Sequence, residues 1–262
     1  MISFNKIVNK LSKKCGKVIF KNDIFELIDP ELKKENNTLV DKTIYKLKSQ
    51  GVIVSVRNGV YIVPDKLDKN LNEVDLIEKY YYNLLKKYIS FTVGASYYIS
   101  GEKALELHMK NFEIPEKIVV VNRSVNKKIL IGNYTIIFKT ILSTENQKKI
   151  NLYSRLSRFT DSIYYNSIQF KVSNIELSLI ESGVINDNEN GLNISLITKA
   201  IKKYGGVFKH DTFREIAKFK YIMSFNRLKE LSRNINPSLS ALFLDVIKQN
   251  GGLFIGEGLR GV

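Results

Sequence analysis

Asp161, followed by Gln169, Phe170 and Lys171, has the residue types and spacing of a metal-dependent nuclease: a carboxylate, then Gln-x-Lys on or beside a strand. In that chemistry carboxylate oxygens hold Mg²⁺ and the lysine polarises the attacking water. At least one more carboxylate is then required, and Glu145 or Glu176 could supply it. Short acid-to-lysine matches also arise by chance in a chain this rich in lysine. His108 and His210 are far apart, and neither sits in a nucleophile, zinc or phosphate-loop motif. Cys15, the one cysteine, closes an N-terminal helical segment and is expected to be a small core residue. Gly251, Gly252, Gly256 and Gly258 follow no strand-to-helix fingerprint and are expected to form a flexible tail. No cofactor or metal is expected, and the chain reads as a non-enzymatic protein.

What the chain has in quantity is positive charge. Its 262 residues carry 41 Lys plus Arg against 26 Asp plus Glu, a net +15, which points to a polyanionic partner, nucleic acid first. An A/T-rich genome, whose codons favour Lys, Asn and Ile, accounts for part of that excess. Two segments concentrate the charge. In the first, Thr38, Lys42, Tyr45 and Lys46 lie on one face of a helical pattern, Arg57 and Asn58 tip the following hairpin, and Lys10, Lys13, Lys14, Lys17 and Lys21 flank them. In the second, Lys199, Lys202, Lys203, Lys209, Arg214, Lys218, Lys220, Arg227, Lys229 and Arg233 meet only Asp211, Glu215 and Glu230. That second stretch is a candidate contact patch for nucleic acid or an acidic protein face.

The elements that must carry these residues follow from periodicity. Phe4, Ile7, Val8 and Leu11 recur at helical spacing, Lys17–Phe20 reads as a short strand, and Asn22 or Asp23 can cap a helix carrying Ile24 and Ile28 that ends before Pro30. A third helix opens at Asn36-Asn37-Thr38 and turns Val40, Ile44 and Leu47 to a core. Val52–Val56, Arg57-Asn58-Gly59 and Val60–Val63 then form a hairpin, with Asn-Gly predicting a type I′ turn. Helices followed by a basic-tipped hairpin predict a winged helix-turn-helix over residues 1–66. A single connecting helix is expected over residues 67–87. Residues 88–172 predict a small α+β sheet, with a helix near 102–110 and strands at 118–121, 129–131, 134–138 and 167–172. Helical periods at 175–182, 194–204, 211–217, 224–231 and 239–249 predict a C-terminal helical bundle over 173–262. The fold class expected is α+β.

At about 150 residues per domain this length suggests two domains, each large enough for its own core. One cysteine, no signal-peptide core and no run of about 18 apolar residues favour a soluble cytoplasmic protein with no membrane partner.

Four stretches occur in the order of a known family. They are Leu47–Ile53 running into Asn58–Pro64, then Tyr98–Leu107, then Ile114–Val120, then Asn174–Glu181. In their order and spacing the chain resembles the AbiEi antitoxins of abortive-infection (AbiE, type IV) toxin–antitoxin systems. Met109-Lys110-Asn111 stands where that family often has Gly, and the C-terminal third diverges. The resemblance implies a phage-defence antitoxin whose N-terminal domain represses its own operon by binding double-stranded promoter DNA. It implies also that the remainder neutralises a nucleotidyltransferase-like toxin, directly or functionally. Binding at inverted repeats is expected, by a monomer or a dimer assembled on DNA. A stand-alone winged-helix regulator and, behind it, the metal-dependent nuclease are the alternatives.

Overall fold

The computed structural model describes residues 3–28, 37–68, 70–145, 148–184, 191–219 and 221–251. Pro30, Asn36, Lys220, Gly252, Gly256 and Gly258 lie outside the described residues. The chain is a mixed α+β protein that divides into two compact units, Met1–Thr92 with Ile129–Ile136, and Val93–Lys128 with Ile137–Val262.

The first unit runs α1 (Phe4–Ser12), β1 (Lys17–Phe20), α2 (Lys21–Ile28), α3 (Asn37–Ser49), β2 (Val54–Arg57) and β3 (Val60–Val63). A short 3₁₀ turn at Lys66–Asp68 follows, then α4 (Glu73–Lys79) and α5 (Tyr81–Val93). Its three strands form an antiparallel sheet in the order β1-β3-β2. The apolar period of each helix supplies one core: Ile7 and Leu11 from α1, Ile24 and Ile28 from α2, Val40, Ile44 and Leu47 from α3. Asp23 is the third residue of α2 rather than its cap. Its carboxylate accepts from the Phe20 amide at 2.7 Å, the returning half of a capping box.

Two expectations fail here. The β2–β3 turn is not type I′: Gly59 has φ 78°, Asn58 is not among the residues with positive φ, and the register shifts between Ser55 and Arg57. One left-handed glycine after a turn makes a bulge, which glycine alone adopts without penalty. The single connecting helix is two helices, because the chain leaves the α conformation at Tyr80. There the Tyr80 hydroxyl and the Lys79 ammonium both bond the buried Asp68 carboxylate. Opposed charge and donated hydrogen bonds hold that carboxyl below its usual range despite burial.

The second unit contains β4 (Tyr97–Ser100), α6 (Gly101–His108) and β5 (Lys117–Asn122). Next come β6 (Lys127–Ile131) and β7 (Tyr134–Lys139), a hairpin whose residues 129–136 group with the first unit. The chain continues through β8 (Leu142–Glu145), β9 (Lys148–Asn151), α7 (Tyr153–Leu156), β10 (Thr160–Tyr165) and β11 (Ile168–Ser173). It closes on α8 (Ile175–Ser182), α9 (Ile194–Tyr204), α10 (His210–Ala217), α11 (Ile222–Ser232) and α12 (Pro237–Gln249). The sheet order is β10-β11-β4-β5-β7-β6, with β11 and β4 parallel and β8-β9 a separate ribbon. Asparagine caps recur: Asn174, Asn193 and Asn236 each accept from the amide three residues on, at 2.9, 3.1 and 3.0 Å. Leu177, Ile180, Ile197, Phe213, Phe225 and Phe243 from these helices are fully or almost fully buried in one cluster.

Candidate nucleic-acid interface

The outward side of α3 follows from its inward one. With Val40, Ile44 and Leu47 buried, the 3.6-residue period turns Thr38, Asp41, Lys42, Tyr45, Lys46 and Ser49 outward, all of them exposed. Tyr45 leaves 75% of its surface in solvent although its ring is apolar enough to bury. The two borders of this face are pinned. On the α1 side the Lys46 ammonium lies 4.3 Å from the centre of the Phe4 ring, a cation–π contact. On the α2 side Lys21 Nζ pairs with Asp41 Oδ1 at 2.6 Å. The Lys21 amide donates to the Gly59 carbonyl at 2.8 Å, so the start of α2, the hairpin turn and α3 meet at this residue.

The other expected contacts differ in their exposure and engagement. Lys10, Lys13 and Lys17 are exposed and Lys14 is half-buried. Asn58 is exposed in the turn. Arg57 reaches back into its own unit: Nη1 donates to the Leu130 carbonyl at 3.4 Å, and its charge opposes the upward push of burial on the Tyr88 phenol. Asp41 was not singled out by sequence, although it lies three residues after Thr38 and four before Tyr45.

The second basic stretch is less uniform than its composition. Lys199, Lys202 and Lys203 share the exposed face of α9, with Lys203 Nζ 5.2 Å from the Tyr204 ring. Lys209 and Lys218 are exposed at the two ends of α10, and Arg233 is exposed after α11. Arg214 pairs with Asp211 at 2.8 Å and Lys229 with Glu230 at 2.9 Å. Arg227 donates to the Gly183 carbonyl at 2.9 Å. It lines a shallow cleft of about 400 Å³ whose walls include Leu142, Leu152, Phe219 and Met223. The three lysines of α9 are therefore the coherent part of this patch.

The nuclease constellation does not assemble. In the β10–β11 ladder Asp161 is opposite Val172, whereas Lys171 is opposite Ser162 and Gln169 opposite Tyr164. Side chains alternate along a strand, so Asp161 projects from one face and Gln169 and Lys171 from the other. Glu176 is buried, its carboxylate accepting from the Lys209 amide at 2.8 Å. Among the described residues no three His, Cys, Asp or Glu side chains gather to hold a metal. His108 is structural: Nε2 lies 2.7 Å from the Ser173 carbonyl. Cys15 is exposed, not core: it continues the four-residue spacing of Ile7 and Leu11, but α1 ends at Ser12 and the chain has left the helix before reaching it.

A buried carboxyl with no assigned role in the sequence sits in the second unit. Glu181 on α8 accepts from the Tyr98 hydroxyl at 3.0 Å and the Gly101 amide at 3.2 Å. Burial pushes it up to about 7, against the pull of hydrogen bonds from Ser100, Tyr98, Gly101 and Ser173.

No protein-family model matches the chain, and no curated protein does. Among solved structures the chain is similar to the crystal structure of the RV2827C protein from Mycobacterium tuberculosis. The TM-score is 0.57 at 11% identity, covering 92% of this chain and 80% of that one. At that identity the likeness is one of fold. Among the described residues no helix is long and apolar enough to cross a membrane.

Proposed function

We propose that the protein is a DNA-binding antitoxin of the AbiE kind, which represses its own operon and counteracts a nucleotidyltransferase-like toxin. The observation that carries the DNA-binding half is the outward face of α3, set between α2 and the β2–β3 hairpin. The order α1-β1-α2-α3-β2-β3 with its three-stranded sheet supports the winged helix-turn-helix reading, in which the helix before the hairpin enters the major groove. On this reading Thr38, Lys42 and Tyr45 meet base edges and phosphates, with Lys46 on the border, and the flanking lysines fix register through phosphate contacts alone. Arg57 and Asn58 sit where a wing meets the backbone, Arg57 by exchanging the Leu130 carbonyl for a phosphate.

The antitoxin half rests on the four ordered sequence anchors and on the size of the second unit, which has its own core. Its helices after Asn174 form the expected bundle on this reading, and the α9 lysines are its natural contact face for an acidic partner. Co-expression with the product of the adjacent gene tests this half. Growth rescue that persists in a Lys42→Ala, Tyr45→Ala, Lys46→Ala protein supports separate DNA and antitoxin surfaces. An adjacent gene with no nucleotidyltransferase-like product leaves the first unit as a stand-alone regulator.

A further inference from the structure

We propose that Asp41 is a base-reading residue that gives this protein a preference for a cytosine in its binding site; the inference rests on the DNA-binding reading of α3. A carboxylate is out of place on a surface that meets a polyanion unless it does something a neutral side chain cannot. The hydrogen-bonding inventory of the face supplies the reason. Lys42 and Lys46 only donate, and Thr38 and Tyr45 carry hydroxyls that can do either. Asp41 is the acceptor-only group of the outward face.

Its carboxylate is tied to the start of α2. Lys21 Nζ holds Oδ1 at 2.6 Å, and Lys21 is itself anchored through its amide to the Gly59 carbonyl. The Asp41 side chain nevertheless stays 59% exposed, so the carboxylate remains accessible on the N-terminal half of α3, the half that reaches base edges in helix-turn-helix docking. The Lys21 charge offsets the repulsion that Asp41 would feel from phosphates. In the major groove the amino groups of cytosine and adenine are the donors available to a carboxylate. Adenine places its N7 acceptor beside that donor, and guanine and thymine offer O6, N7 or O4, all of which repel an anion. Cytosine N4 is the complement that remains.

Selection from a randomised duplex library with the full chain, its Asp41→Ala variant and its Asp41→Asn variant tests this. The wild type is expected to enrich a fixed C·G pair that becomes degenerate with Asp41→Ala, with affinity for the selected site falling about tenfold. Affinity for unrelated duplex should stay level or rise, because a negative charge has gone. Asp41→Asn should move the preference toward adenine. Identical enriched motifs and equal site affinities for all three proteins would overturn the proposal and leave Asp41 as a counter-ion of Lys21, with DNA binding intact. Enrichment of no sequence by the wild type would overturn the DNA-binding reading itself.

Discussion

Glu181 ties protonation to folding more directly than any other side chain described. Its pKa of about 7 in the folded protein stands above the ordinary glutamate value of 4.5, so the fold favours the neutral acid. The stabilisation this contributes is fully present below about pH 4.5 and is lost as pH rises through about 7, an effect on the order of 3 kcal/mol. Urea titration of the wild type against Glu181→Gln isolates it. The wild type should lose stability between pH 5 and 8 relative to the variant, and parallel pH profiles would contradict the assignment. The sequence showed the helical period of α8 but not this carboxyl's role. Its partners Tyr98 and Gly101 come from 80 or more residues away, and only the fold brings them together. Asp41 was illegible for a different reason: one acid among many basic residues reads in sequence as a helix-surface charge.

Among the elements, α3 on the proposed reading serves stability with one face and recognition with the other. Leu47 is fully buried, so Leu47→Ala should cost about 2–5 kcal/mol in a denaturant melt. Tyr45→Ala, at an exposed site, should stay within about 0.5 kcal/mol while weakening DNA binding. Comparable destabilisation by both would mean that Tyr45 is not the outward residue described. The period of Val40, Ile44 and Leu47 made this helix readable, as did the Asn-Gly hairpin, though not its turn geometry. The strand β4 was missed because all four of its residues, Tyr97–Ser100, are buried and show no alternation. The break at Tyr80 was missed because apolar residues recur on both sides of it, and what stops the helix is the distant Asp68. The Asp161 and Lys171 pairing looked plausible in sequence because spacing alone does not say which face of a sheet each residue takes. The β10–β11 register does.

For the whole molecule, the two basic stretches belong to different compact units and should fail independently. Lys199→Glu, Lys202→Glu and Lys203→Glu together should weaken growth rescue against the toxin without changing the melting transition or promoter affinity. Rescue at the wild-type level would remove α9 from the antitoxin surface. The α+β class and most helices of the second unit were readable from sequence, since an amphipathic period is a local signal; their asparagine caps were not singled out. Which of ten basic residues form a coherent face was not, because Asp211, Glu230 and the Gly183 carbonyl engage three of them.

The central claim is that the α3 face binds DNA, and its most direct test is the affinity of the full chain for its own promoter duplex across a salt series. Wild type should lose affinity steeply with salt, and Lys42→Ala, Tyr45→Ala, Lys46→Ala should bind more weakly, with the log–log slope reduced by about one for each phosphate contact removed. Equal affinity and equal slope for the two proteins would contradict it.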